Sequence, residues 1–338
     1  MLTNRRTVIA GSLAATAAAT MPHDFAWAKD ELKLHSFVPP THIIWAHVLV
    51  PWAAEVAKLS KGELTVRLFP AMQLGGRPPD LYRQVLQGIS DMTFTLPGYT
   101  SADFPMMALT ELPGTADSAD DGTRKLWANF DKFLARDYKG TKVLMLWNSD
   151  TAAIMSRSKP VRTLEDFKGM RIRTPSAAQS SQLEALGAIP IDMPVTQIYN
   201  NLDRGVIDAS MIPMSAALDF KLIEVAKFYT VDAPLGRSPF LVAMNRARYE
   251  KLPGDLKKII DDTTGLALSL KCAQTYDKKN VEATAAAKAK NLELFPLAPA
   301  ERQRWVAAFK PMIQKVVEDG EKAGLPARAL VGAYGLLS

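Results

Sequence analysis

Hydrophobic and polar positions near the start of the chain predict the first elements of an α/β fold. Residues 31–35 alternate as a strand does, and apolar residues over 45–59 recur at the spacing of a helix. The pair Lys61-Gly62 ends that helix, and 64–69 has the composition of a second strand. The order strand, helix, strand predicts a parallel sheet.

A helix followed by a strand is predicted twice, 117 residues apart. Under this shift, Tyr82, Val85, Gly88, Ile89 and Asp91 correspond to Tyr199, Leu202, Gly205, Val206 and Asp208. Five matches in ten positions also fit chance or the turn chemistry that αβ loops share, so both interpretations stay open. As a true repeat, the pattern predicts two lobes of similar build.

The rest of the chain continues to alternate between strands and helices. Strands are predicted at 142–147, 170–174, 189–193 and 240–244, and helices at 176–186, 256–288 and 301–322. Residues 148–159 form a polar stretch, and 163–166 match a capping box that begins a short helix. We expect 234–239 to return the chain to the first lobe, and the long helices to brace both lobes.

The first 28 residues have the order of a secretory signal peptide and are excluded from the fold. Arg5 and Arg6 precede a short apolar run, and Ala26-Trp27-Ala28 matches an A-x-A cleavage site. We predict cleavage after Ala28, and export by Sec or Tat, because the twin-arginine match is partial. About 310 residues remain, which exceed one hydrophobic core, so two lobes are expected. No later apolar stretch approaches about 18 residues, so we expect a soluble protein outside the cytoplasm.

Charge and cysteine content narrow the class of protein. Removal of the signal peptide takes the formal net charge from +6 to +5. No basic tract or aromatic-interleaved cluster accompanies this mild excess, so nucleic acid is not an expected partner. Cys272 is the only cysteine, which makes an intrachain disulfide impossible, and we interpret it as a buried structural thiol.

Motifs of enzymes and metal sites are missing from the sequence. It contains no H-E-x-x-H, G-x-S-x-G, Walker A, G-x-G-x-x-G or C-x-x-C. His42 and His47 are five residues apart and do not share a helix face as zinc ligands usually do, so we interpret them, with His35, as solvated or capping residues. We expect no enzymatic activity, no cofactor and no metal.

Two arginines are candidates for binding an anion. Arg171 and Arg173 lie in the predicted strand 170–174, and ligands of α/β folds collect outside the carboxyl ends of strands. A guanidinium matches a carboxylate with two charge-assisted hydrogen bonds. Both side chains have the same parity, so spacing alone does not choose between them.

Several motifs resemble those of the DctP-type solute-binding proteins of TRAP (tripartite ATP-independent periplasmic) transporters, over nearly the whole mature chain. The matching segments are 68–76 (LFPAMQLGG), 87–92 (QGISDM), 164–175 (LEDFKGMRIRTP) and 186–208, which begins LGAIP and ends GVID. The resemblance implies a two-lobed periplasmic-binding-protein architecture. Each lobe is then a mixed sheet flanked by helices, and one long helix spans both. We place the lobe boundaries at 29–148, 149–236 and 237–338.

The resemblance also assigns roles to residues. It selects Arg173 as the carboxylate anchor, because the second arginine of the pair has that role in the family, and leaves Arg171 a surface residue. Ile212 stands where an asparagine is common, Ala153 where sialic acid binders carry an arginine, and Val195 where phenylalanine is frequent. Fewer polar partners favour a ligand with an apolar body.

We therefore predict that the lobes close on a small organic monocarboxylate, such as an aromatic acid or a branched 2-oxo or 2-hydroxy acid. Candidate pocket residues besides Arg173 are Trp147, Asn148, Gln73, Tyr99, Val195, Ile212 and Phe240. Core packing is an equal interpretation for each aromatic side chain. The expected partners are the TRAP membrane permease subunits, and the expected state is a monomer in the periplasm. The alternative is an exported sensor that docks on a membrane receptor or sensor kinase.

Overall fold

A computed structural model describes residues 30–337, which form two α/β lobes, each built on one sheet. The predicted signal peptide lies outside the described residues. The strands are β1 (Asp30–Ser36), β2 (Leu64–Phe69), β3 (Met92–Thr95), β4 (Thr141–Asn148), β5 (Ala152–Ser156), β6 (Arg171–Thr174), β7 (Ile189–Asp192), β8 (Ala209–Pro213), β9 (Phe228–Val231), β10 (Pro239–Asn245) and β11 (Glu293–Pro296).

Helices flank both sheets. The α-helices are α1 (Val50–Leu59), α2 (Leu81–Leu86), α3 (Pro105–Leu109), α4 (Ala119–Ala128), α5 (Ala177–Ala185), α6 (Ile198–Asp203), α7 (Ala216–Asp219), α8 (Arg246–Glu250), α9 (Gly254–Thr263), α10 (Leu266–Ala289), α11 (Pro299–Lys322) and α12 (Ala327–Ala333). Short 3-10 or π helices lie at Trp45–Leu49, Pro78–Asp80, Pro97–Asp103, Phe130–Leu134, Ala135–Asp137, Leu164–Phe167, Val195–Gln197 and Leu222–Glu224. None of the helices within 30–337 is long and apolar enough to cross a bilayer.

The first sheet has the strand order β2-β1-β3-β10-β4. β1 lies parallel to β2 and to β3, as the strand, helix, strand pattern near the start of the chain predicts. β10 lies antiparallel between β3 and β4, so the predicted strand at 240–244 joins this sheet after the chain has visited the second one. The sheet is therefore mixed.

The second sheet has the order β11-β9-β5-β8-β6-β7, and the hydrophobic pattern does not predict three of its strands. β5 lies inside 148–159, which we interpreted as polar; its residues are all buried, so they show no alternation. β9 is only four residues long. β11 belongs to the range 237–338 expected in the first lobe, but it pairs in parallel with β9. β11 therefore belongs to the second lobe and not to the first, where we expected it.

The internal repeat corresponds to the same local structure in each lobe. Gly88 and Gly205 both have positive φ, at 74° and 70°, between a helix and a strand. The Asp91 carboxylate accepts a hydrogen bond from the Lys33 backbone N–H of β1 at 2.8 Å. The Asp208 carboxylate accepts the equivalent bond from Arg171 of β6 at 2.9 Å. In each case the aspartate links two parallel strands, so the lobes share this unit.

The long helix α10 packs against both lobes, as the family resemblance implies. Its Ser269 hydroxyl accepts a hydrogen bond from the Leu146 backbone N–H of β4 in the first lobe. Its later turns contact α7 and β11 of the second lobe. The predicted single helix over 256–288 is interrupted, because Gly265 adopts φ +79° between α9 and α10. The buried Cys272 lies inside α10, in agreement with a structural thiol.

The two connections that follow β4 and precede β10 are tied together by hydrogen bonds. Ser149 and Ser238 bond through their backbones at 2.9 Å, and the buried Arg237 donates to the Ser149 carbonyl and to the Thr151 hydroxyl. Gly236 passes so close to the first lobe that a Cβ built on it would lie 1.7 Å from the Glu111 carbonyl oxygen. Only glycine fits there.

We expect Gly236→Ala to lower the free energy of unfolding by about 3 kcal/mol or more, because the added methyl group meets backbone that has no room to shift. The matched control is Gly332→Ala, at an exposed position of α12 with no atom within 4 Å. This control should gain up to about 1 kcal/mol from helix propensity. Denaturant unfolding of both variants measures the difference, and equal stabilities would contradict the packing described.

Candidate functional site

A cavity lies between the lobes, where the carboxyl ends of β1, β3, β6 and β8 approach one another. Within it, the centre of a water-sized sphere can reach about 40 Å³. Its walls are mostly apolar and come from both lobes. They are formed by Phe37, His42, Leu96, Tyr99, Arg173, Pro175, Val195, Ile212, Pro213, Ser215, Ala216, Phe220, Ser238, Phe240 and Tyr276. Such a crevice outside strand ends is the usual ligand site of α/β folds.

Arg173 is a buried cation in this cavity. It lies near the end of β6, and its side chain is among the largest fully buried ones. Its Nε donates to the Met193 carbonyl at 2.9 Å, and Nη1 donates at 3.4 Å to the carbonyl of Met211. No carboxylate within residues 30–337 forms an ion pair with it. Hydrogen-bond donors of the guanidinium are therefore left for a bound anion.

Arg173 remains charged at neutral pH despite its burial. Desolvation lowers its pKa from 12.5 to about 10, and the charge of the Asp192 carboxylate opposes this shift. The Tyr99 hydroxyl oxygen accepts a hydrogen bond from the Val195 backbone N–H at 3.1 Å. Burial raises the pKa of Tyr99, so the hydroxyl keeps its proton. That proton is available to a ligand oxygen beside Arg173.

Arg171 is paired within the protein. Its Nη2 lies 2.8 Å from an Asp208 carboxylate oxygen, and its Nε lies 3.1 Å from the other. The side chain is 43% exposed. Hydrogen bonding to Asp208 is the main reason why the pKa of Arg171 is raised. Its guanidinium is thus occupied at the surface, whereas that of Arg173 faces the cavity.

The cavity brings together five of the predicted site residues: Arg173, Tyr99, Val195, Ile212 and Phe240. The other three do not line it. Trp147 stacks behind Phe240 with ring centroids 5.7 Å apart. Asn148 is buried against Gly122 of α4, and Gln73 is exposed on the loop after β2. Placement at a strand end or next to a motif is therefore not sufficient for contact with the cavity.

Sequence reasoning missed other cavity residues, in particular His42, Phe220 and Tyr276. We interpreted His35 and His42 as solvated or capping residues, and neither is solvated, since both are buried. His42 does cap, because its Nδ1 accepts the Ile44 backbone N–H at the start of the helical segment. His42 packs against Phe94, Phe220 and Tyr276, which come from three distant parts of the chain. No local pattern brings these residues together, although the apolar neighbours of His42 in the sequence are a weak sign of burial.

Residues 35–319 match the family model described as bacterial extracellular solute-binding protein, family 7, also called DctP. The chain belongs to this family. The prediction made from its motifs is confirmed, and with it the two-lobed solute-binding fold.

Three solved structures of TRAP solute-binding proteins are similar to this family 7 protein. One, from an unidentified marine microbe and specific for aromatic acid ligands, contains 3-hydroxybenzoate; it is 35% identical with a TM-score of 0.88, covering 91% of this chain and 98% of that one. A second, from Rhodoferax ferrireducens, contains benzoate and is 32% identical with a TM-score of 0.87, covering 90% and 97%. A third, from Bordetella bronchiseptica, contains (R)- and (S)-mandelate and is 26% identical with a TM-score of 0.83, covering 90% and 97%.

A buried carboxyl group lies at a contact between the two lobes of this family 7 protein. Glu111 of the first lobe accepts hydrogen bonds from Ser176 at 2.7 Å and from Gln179 at 3.0 Å, both at the start of α5. Gln179 also donates to the Ser238 hydroxyl, which links this cluster to the connection before β10. Burial raises the pKa of Glu111 from 4.5 to about 7, more than these hydrogen bonds lower it.

We expect Glu111→Gln to flatten the pH dependence of stability. The raised pKa means that the native state favours the protonated carboxyl group, so this contribution is complete below the unfolded pKa of 4.5 and is lost as pH rises through about 7. Between about pH 5 and about pH 8, the unfolding free energy of the wild type should fall by about 2 kcal/mol more than that of the variant.

Thermal or denaturant unfolding at the two pH values measures this difference. The matched control is Glu184→Gln, an exposed position on α5, which should leave the wild-type profile unchanged. A Glu111→Gln profile that runs parallel to that of the wild type would show that the carboxyl group ionises normally.

Proposed function

We propose that this protein captures a small aromatic monocarboxylate between its lobes and delivers it to the membrane permease of a TRAP transporter. The observation that carries the proposal is the guanidinium of Arg173, which is 2% exposed and has no carboxylate partner within the described residues. A buried cation of this kind is stabilised by an anionic partner.

Geometry around Arg173 suits a single carboxylate. A guanidinium forms parallel bonds to both oxygens of a carboxylate, and the Tyr99 hydroxyl has a proton to add to them. Among the described residues that line the cavity, Arg173 is the one lysine or arginine. His42 does not supply a second charge, because burial lowers its pKa to about 3. A dicarboxylate would therefore bury one charge without compensation.

The remaining walls suit an aromatic ring. Phe37 and Tyr99 meet edge to face at 5.5 Å, and Phe240 stacks on Tyr276 at 5.3 Å. Such rings favour a flat apolar ligand body through burial and aromatic contacts. The benzoate, hydroxybenzoate and mandelate seen in the three similar structures support this ligand class.

Export and transport complete the proposal. The signal peptide at 1–28 leads the chain to the periplasm by Sec or Tat, and cleavage after Ala28 releases a monomer. We infer that lobe movement centres on the connections around 149–151 and 232–238, because these join the two sheets and are bonded to each other. The liganded form then docks on the permease. The protein acts by binding and release, without an enzymatic step.

Arg173→Ala should weaken benzoate binding by about 100-fold or more, because the carboxylate loses its charged partner in a buried site. Arg171→Ala is the matched control, since that side chain bonds Asp208 at the surface; its affinity should stay within about threefold of the wild type. Isothermal titration calorimetry on the mature protein measures both, after circular dichroism has shown that each variant folds.

Equal losses of affinity in the two variants would mean that Arg173 does not have its proposed role.

A thermal-shift screen of aromatic, branched-chain and C4-dicarboxylic acids tests the ligand class itself, because ligands that bind the native state raise the melting temperature. Stabilisation by dicarboxylates and not by aromatic acids would overturn the proposal.

A further inference from the structure

The Tyr276 side chain presents an unusual polar atom to the cavity. Tyr276 is 3% exposed, lines the cavity, and its hydroxyl has no hydrogen-bond partner among the described residues. Most buried tyrosine hydroxyls have a partner, and an unpaired one costs about 1–3 kcal/mol. This hydroxyl is therefore a candidate for bonding a ligand.

Packing fixes the direction of that hydroxyl. The Tyr276 ring belongs to α10 and stacks on Phe240 at 5.3 Å with 30° between the planes. It also meets His42 edge to face, with centroids 6.2 Å apart. Phe240 of β10 and His42, which precedes α1, hold the ring in one orientation. The hydroxyl is therefore preorganised, which lowers the entropy lost when it binds a ligand.

His42 places a second donor in the same part of the cavity. Burial and the nearby Lys279 charge lower its pKa to about 3, so the ring is neutral and carries one proton. Its Nδ1 accepts the Ile44 backbone N–H at 3.3 Å, which puts the proton on Nε2. His42 Nε2 lies 3.7 Å from an Asp219 carboxylate oxygen, beyond normal hydrogen-bond length. This N–H is thus weakly satisfied.

We propose that Tyr276 and His42 form a second polar subsite, which selects aromatic acids that carry a ring hydroxyl group. A phenolic hydroxyl both donates and accepts, so it can accept from His42 Nε2–H or Tyr276 O–H and donate to the Tyr276 oxygen. This inference rests on the proposed function, because Arg173 must first hold the carboxylate. It extends that function from the carboxylate end of the ligand to the substituents on the ring.

The subsite acts chiefly by rejecting the wrong ligand. An acid without the hydroxyl leaves the Tyr276 hydroxyl unpaired and the His42 N–H only weakly satisfied, whereas a hydroxylated acid satisfies at least one of them. A methoxy group only accepts and is bulkier, so it is a weaker match than a hydroxyl. A second carboxylate gains no positive charge here, since His42 is neutral.

The test compares benzoate with its 2-, 3- and 4-hydroxy and methoxy derivatives by isothermal titration calorimetry. The wild type should bind at least one hydroxybenzoate about tenfold more tightly than benzoate and than the matching methoxybenzoate. Tyr276→Phe should reduce this preference to about threefold or less.

Tyr138→Phe is the matched control. Tyr138 also has a buried hydroxyl without a partner among the described residues, but it packs in the first lobe away from the cavity. This variant should keep the full preference for the hydroxylated acid. A loss of preference in both variants would mean that Tyr276 has no specific contact with the ligand.

Failure of the subsite can be distinguished from failure of the proposed function. Tight benzoate binding without any preference for a hydroxybenzoate overturns the subsite and leaves the proposed function standing. A preference that survives in Tyr276→Phe overturns the role of the tyrosine. If neither benzoate nor any derivative binds the wild type, the proposed function fails and this inference fails with it.

Discussion

Burial of the Arg173 charge is the constraint on which the site depends. A guanidinium removed from water is costly, and here two backbone carbonyls, of Met193 and Met211, meet only part of its hydrogen-bonding capacity. Burial lowers its pKa only to about 10, so it does not escape the cost by losing its proton. In the proposed function, an anion in the cavity supplies the missing partner. The buried cation therefore links the stability of the second lobe to the chemistry of the ligand.

In the proposed function, the two lobes contribute different halves of the recognition. Arg173, Val195 and Ile212 come from the second lobe, whereas the first supplies the rings of Phe37 and Phe240. A ligand that contacts residues of both lobes binds more tightly to the arrangement in which the lobes meet than to any other. It stabilises that arrangement by the difference between the two binding free energies. Contacts between Glu111 and the start of α5 already hold the lobes together away from the cavity. The ligand thus adds to an interface that partly exists without it.

The local pattern of hydrophobic and polar residues predicts the elements that have one buried face. It fails for elements in which this pattern is weak. The alternation of β1, the capping box at Thr163 and the aspartates that begin the repeated strands are all found in the structure. β5 was missed because both of its faces are buried, and β11 because a four-residue edge strand carries little pattern. Spacing did not choose between Arg171 and Arg173, but the family resemblance selected Arg173. The structure adds that Asp208, brought to β6 by the parallel pairing with β8, binds Arg171.

The polar atoms that discriminate among ligands are the least predictable part of such a site. His42 and Tyr276 are far apart in the sequence, and each has an ordinary local context. What distinguishes them is a hydrogen-bonding capacity that the fold does not satisfy, and this becomes visible only when all neighbours are in place. An unsatisfied buried donor reduces the stability of the protein, but it also penalises every ligand that fails to bond it. In the proposed subsite, specificity therefore arises from the same unmet bonds that make the unliganded protein less stable than it could be.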